Sequence, residues 1–241
     1  VGGGDPAKGG GLTRTTIVDT AIALADEAGV DALSMRRIAD RMGAGAMSLY
    51  RHIPNKDALL AEMTDEVARR NTYPDPEPGW TWRDRVRIAA DIDWQLYQEH
   101  PWVLFTFAVP RYNFGPSSLA CLAWLVDGFG ELTDDPREAT RMALSVWSYI
   151  AGIALQQVSA SMLARRDGAP EETSGLSALL EGAPRWPTPA ALIPLEGTGR
   201  GDLLDPARML RSGLEAMCAG FATTHAAEPR QGPAEESAPR R

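Results

Sequence analysis

Residues 34–56 read SMRRIADRMGAGAMSLYRHIPNK, and this stretch decides the fold. Ser34 is placed to cap a helix, since its hydroxyl can accept from a first-turn N–H. Ile38, Ala39 and Met42 follow at helical spacing. Gly43 supplies the left-handed residue that ends that helix. After Ala44-Gly45 a second short helix is predicted over 46–52. Pro54 stops it, because the residue before a proline is pushed out of the helical region. Two short helices across a glycine turn, with a third to follow, describe a helix-turn-helix. In that unit the second helix enters the major groove of duplex DNA. Ala46 and Met47 open it, and Ser48, Tyr50 and His52 are short or polar enough to face bases and phosphates.

Charge points the same way. The stretch carries Arg36, Arg37, Arg41, Arg51 and Lys56 against Asp40 alone, in a chain of formal net charge −8. An acidic chain that keeps one cationic stretch directs it at an anion, and acidity elsewhere discourages binding through the wrong face. Lys56 sits in the first turn of the helix that Asn55 caps. A cation there opposes the helix dipole, unless a phosphate binds at the same place. A solvated helical hairpin with a basic face is the plainer reading of the same residues.

Thr13 to Val67 resembles the DNA-binding domain of the tetracycline-repressor (TetR) family of bacterial regulators. The resemblance rests on IVDTAIALADEAGVDALSM, RRIADRMG and SLYRHIPNKDALL, in order and spacing, and covers about a quarter of the chain. It implies that Thr13 and Arg14, at the start of the first helix, can touch the DNA backbone, and that Lys56 contacts phosphate. The full DNA-facing set is then Thr13, Arg14, Arg36, Ala46, Met47, Ser48, Tyr50, Arg51, His52 and Lys56. The chain departs from the family at Ala44-Gly45-Ala46, where a valine and then polar or proline residues are usual; fewer direct base contacts follow.

The 241 residues are 44% hydrophobic, 23% charged and poor in strand formers. An all-α chain is expected: a three-helix DNA-binding domain over 13–70 and a larger helical ligand-binding and dimerisation domain over 80–225. Tails at 1–12 and 226–241 are expected to be disordered. Residues 71–79, NTYPDPEPG, hold three prolines and a glycine and are taken as the boundary. No apolar run approaches a membrane span, the glycine-rich start is no signal peptide, and a cytoplasmic protein is expected. Cys121 and Cys218 sit among apolar residues as thiols. No cofactor or metal is implied by ligand spacing.

Further along, helices are expected over 15–28, 56–70, 82–100, 117–132, 136–166 and 202–225, with a short one possible over 174–181. Residues 102–109 could form a buried helix or a strand, and 110–116 a turn-rich connection. Asp135-Pro136-Arg137-Glu138 is a helix start with aspartate at the cap and proline at the first position. The helix after it is apolar on several faces, so it must be covered on several faces.

A groove reader of this kind works as a twofold dimer with its heads about 34–36 Å apart. The interface is expected from the last two long helices, through Ile150, Ile153, Gln157, Leu210, Leu214, Met217 and Phe221; the resemblance implies that these helices pair as a four-helix bundle. Aromatics crowd the middle of the chain, as core or as the wall of a pocket. Asp93, Trp94, Tyr97, Phe105, Asn113, Trp124, Trp147 and Gln156 are the candidate ligand-binding residues. Asp93 is either a polar group aimed into a cavity or, preferably, a carboxylate paired with an arginine at the edge of the apolar face. The residues by which tetracycline repressors hold a metal-bound drug are not matched, so an apolar or aromatic effector is expected.

The reading is a ligand-responsive homodimeric repressor that binds a palindromic operator in double-stranded DNA. The alternative is a helical sequestration protein whose head is vestigial. No nucleophile–base pair, phosphate loop or paired carboxylates suggest an enzyme.

Overall fold

A computed structural model describes residues 12–167 and 205–226. All regular structure among them is helical. Helix α1 spans Arg14–Ala28, α2 Met35–Met42, α3 Ala46–Tyr50 and α4 Lys56–Arg70; one 3-10 turn, Val30–Ala32, joins α1 to α2. Beyond residues 71–81 come α5 (Trp82–Glu99), α6 (Val103–Phe107), α7 (Pro110–Asn113), α8 (Pro116–Phe129), α9 (Pro136–Asp167) and α10 (Pro206–His225).

The helix ends are written in the capping residues. Thr13, Ser34 and Asn55 accept from Thr16, Arg37 and Ala58 N–H groups and start α1, α2 and α4. Thr81 and Asp84 form a reciprocal capping box at α5. Asp135 accepts from Arg137 N at 2.9 Å ahead of α9, and Asp205 accepts from Ala207 N ahead of α10. Residues 103–107 are a helix, not a strand, and the connection at 110–116 winds into the single turn of α7. The possible helix over 174–181 and both expected tails lie outside the described residues, save Leu12 and Ala226.

α4 is the spine. Its inner face packs on α1, and its other side meets α6, α7 and α8. Ile17, Ile38, Leu49, Ile53, Met63 and Val67 are fully buried, so the first three helices and α4 close one apolar core. In the larger layer α9 is covered by α5, α8 and α10. Tyr149 of α9 donates its hydroxyl to Met209 O at 2.7 Å, and a Cβ on Gly213 would stand 1.8 Å from that hydroxyl oxygen. Gly213 leaves the room that this hydroxyl occupies against α10.

This packing corrects the expected dimer surface. Ile150, Ile153, Leu210 and Leu214 are buried inside the protomer, because the apolar stripes of α9 and α10 are consumed against α5, α8 and each other. Met217 and Phe221 are partly covered, and Phe221 stacks edge-on against Phe129 at 5.7 Å. Gln157 is half-buried and approaches Gln98.

Candidate functional site

Two features stand out: a cationic outer face on the head, and a cavity in the larger layer.

The α2–α3 turn is set by Gly43, with φ 64°, the left-handed region. Ala44 N returns to Ala39 O at 2.9 Å, which satisfies a carbonyl the ending helix leaves free. Gly45 has φ −78° and open space around it, so nothing local demands glycine there. α3 is shorter than expected, ending at Tyr50, with Arg51 and His52 in the following turn. Pro54 ends it early, because the residue before a proline is pushed out of the helical region, and the Ile53 side chain turns into the core.

Leu49 anchors α3 inward, which turns Met47 and Tyr50 outward; Met47 is 79% exposed and Tyr50 45%. Ala46, Ser48 and His52 are half-buried. Arg51 donates to Ser48 Oγ at 3.3 Å. On α2, the Arg36 side chain is 89% exposed, with a loose approach to Asp40 of 3.9 Å. Lys56 Nζ reaches Val30 O at 3.5 Å while its helix start stays exposed. Thr13 is occupied as the cap of α1. Arg14 grips the Glu62 carboxylate on α4 with two N–H groups, which pulls it toward the head's own acids. Arg41 is likewise taken by Glu27 in a two-point pair of 2.6 and 3.1 Å. The outward cations near α3 are therefore Arg36, Arg37, Arg51 and Lys56.

The cavity, about 280 Å³, lies between α5, α6, α8 and α9. Of the expected lining residues, Asp93, Tyr97, Asn113 and Trp147 border it. The others do not. Phe105 points outward from α6 and is exposed, and Gln156 is exposed on α9. Trp94 is half-buried away from the cavity. Trp124 donates its indole N–H to Pro74 O at 2.8 Å and packs on Tyr73. Asp93 has no arginine partner: Tyr73 donates to its Oδ2 at 2.9 Å, and Trp147 Nε1 donates to the Tyr73 oxygen at 2.9 Å. Burial pushes the Asp93 carboxyl up to about 7, against the lowering effect of the Tyr73 hydrogen bond.

Tyr73, Asn71 and Ser118 are lining residues that the sequence reading missed. Asn71 and Tyr73 stand in the proline-rich stretch taken as a boundary. The available signal was the tyrosine itself, a large side chain among prolines and acids that buries against α5, α8 and α9.

The head and the cavity share a wall. Three carboxylates of the head receive donors from residues 100–117. Asp26 accepts from Trp102 Nε1 at 2.7 Å, Asp57 from the Tyr112 hydroxyl at 2.7 Å, and Asp65 from Ser117 N at 2.8 Å. Leu104, Phe107, Ala108 and Asn113, from the same segment, and Ser118 just after it border the cavity.

Comparison with known proteins agrees with this layout. Residues 17–63 match the family described as bacterial regulatory proteins, tetR family. The chain is 32% identical over 157 residues to the HTH-type transcriptional repressor DrrR1 of Streptomyces coeruleorubidus, covering 65% of this chain and 58% of DrrR1. It is 39% identical over 110 residues to an HTH-type transcriptional regulator of Saccharopolyspora erythraea, covering 45% of each. The matched stretches thus span about half the length of these relatives. Among solved structures, the Streptomyces coelicolor TetR family protein ActR in complex with actinorhodin superposes with a TM-score of 0.72 at 27% identity, over 91% of this chain and 99% of ActR. These relatives are named as regulators, not enzymes. With the all-helical architecture and the glycine turn at residue 43, residues 17–63 carry the helix-turn-helix domain of the tetR family of bacterial regulatory proteins, and the chain shares the fold of ActR.

Proposed function

We propose that the protein is a ligand-responsive repressor that binds a palindromic operator as a homodimer and leaves it when a small effector fills the cavity. The observation that carries this reading is the shared wall: residues 100–117 hold the head through Asp26, Asp57 and Asp65 and border the cavity on their other side. An effector that fits only one arrangement of this segment would bias the position of α4 and hence of the head. Coupling of this kind requires different effector affinity in the two arrangements, and is reciprocal.

On the DNA side, Tyr50, Met47 and Ser48 face the groove while Arg36, Arg51 and Lys56 meet phosphates. Thr13 and Arg14 flank the backbone; Arg14 must exchange Glu62 for phosphate to do so. The five-residue α3 and its small opening residues favour few base contacts, with register set by the phosphate contacts. A sequestering protein with an idle head has no use for cations held outward around α3, which favours the regulator. The two copies meet through the outer faces of α9 and α10, left open after their inner stripes are buried. Residues 13–70 form the DNA-binding unit and 80–225 the effector and dimer unit, in the cytoplasm. Among the described residues no helix is long and apolar enough to cross a membrane.

The test is selection from a random duplex library by the purified full chain, followed by binding of the selected duplex by Tyr50→Ala and Lys56→Ala. Both variants should fold as the parent does and bind the duplex more weakly. Parent-like binding by both would show that another surface holds the DNA.

A further inference from the structure

Asp93 is the one charged side chain that borders the cavity among the described residues. Tyr73 is its one hydrogen-bond partner there, and that hydroxyl is already engaged by Trp147. A carboxylate taken out of water needs a cation or several donors, and here the protein supplies a single neutral hydroxyl. A second polar group is incomplete in the same place. Ser118 is buried, borders the cavity, and its Oγ has no hydrogen-bond partner. Aromatic and aliphatic side chains, among them Tyr97, Phe107, Leu96 and Leu104, make up most of the remaining wall.

We propose that the effector is an amine-bearing aromatic: an apolar ring body fills the cavity, its ammonium pairs with Asp93, and a polar atom of the ligand engages Ser118 Oγ. A charge-assisted hydrogen bond is roughly twice as strong as a neutral one, and the cation also removes the cost of an isolated buried anion. Neutral aromatics of the same shape gain the apolar contacts alone. Aromatic acids meet a like charge. This inference rests on the repressor reading only in calling the bound molecule an effector.

Three matched probes test it: 1-naphthylmethylamine, 1-naphthalenemethanol and 1-naphthoic acid, titrated calorimetrically into the full chain near pH 7.5. The amine should bind at least about tenfold tighter than the alcohol, and the acid weakest. In Asp93→Asn, which keeps the shape, the amine should fall to the level of the alcohol while the alcohol is unchanged. Equal binding of amine and alcohol overturns the proposal, as does an amine preference that survives Asp93→Asn, or no binding of any probe at about 1 mM. Should Asp93→Asn not fold, the ranking of the three probes on the parent decides. Duplex retention is measured separately, so the two readings fail separately. Release of duplex by a neutral aromatic with no amine preference removes this inference alone; amine preference in a protein that never holds duplex removes the repressor reading alone.

Discussion

The indole N–H of Trp102 lies 2.7 Å from Asp26 Oδ1, and His100 Nδ1 lies 2.8 Å from the same oxygen. One carboxylate near the end of α1 therefore fastens the head to the segment that opens α6. Trp102 is buried, and Asp26 is the acceptor that its N–H finds. Asp26→Ala should cost about 1–3 kcal/mol, the penalty for an unsatisfied buried donor, read as a lower urea midpoint with unchanged slope. It should also weaken the effect of any ligand on DNA affinity, since one of three ties across the shared wall is gone.

Gly115 tests a second tie. A Cβ there would stand 2.3 Å from Asp65 Oδ1, the atom that accepts from Ser117 N. Gly115→Ala must push Asp65 off the start of α8, at a cost of about 1–3 kcal/mol from overpacking. Urea unfolding measures the cost. Gly45→Ala, by contrast, meets open space at an ordinary φ and should leave stability near the parent's.

The pH dependence of stability isolates Asp93. Its folded value is raised to about 7 from 3.8, so the folded chain holds a proton that the unfolded chain releases. The contribution is fully present below about pH 4 and is lost as pH rises through about 7, at no more than about 1.4 kcal/mol per pH unit. Tyr73, Tyr97 and Cys121 also face the cavity, and burial raises all three, so they stay protonated in this window. Glu66, lowered from 4.5 to about 2 chiefly by the Arg69 hydrogen bond, acts oppositely: its contribution is full above about pH 4.5 and is lost as pH falls from there through about 2. Unfolding free energies for the parent and Asp93→Asn across pH 4–8 should therefore converge at the acid end and separate toward neutrality, with the variant the more stable.

The salt dependence of DNA binding sorts the head's cations. Lys56→Ala and Arg36→Ala should each weaken duplex binding across sequences and reduce the slope of log K against log salt by about 1. Tyr50→Ala should instead leave that slope unchanged and flatten the preference between selected and scrambled duplex. Fluorescence anisotropy over a salt series separates the two behaviours.

The head was legible because its signals are local. Ser34, Gly43, Asn55 and Pro54 act on their own neighbours, and each helix they start or stop stands close to where it was expected. The larger layer was legible in its helices but not in their partners. Ile150 and Leu214 look the same in sequence whether a stripe meets its own core or a second copy, and only packing showed that α5 and α8 cover them. The cavity followed the same pattern. Asp93, Tyr97, Asn113 and Trp147 stand where the aromatic density suggested. Tyr73 escaped because prolines around it signal a linker while its ring packs across three helices.

The central claim, two heads on one duplex, is tested most directly by sedimentation of the full chain with a duplex taken from the random-library selection. The account predicts two chains per duplex, and a footprint of two inverted half-sites about 10 base pairs apart, centre to centre, or a multiple of that. A single chain bound to one unpaired half-site, or no retained duplex at low salt, would contradict it.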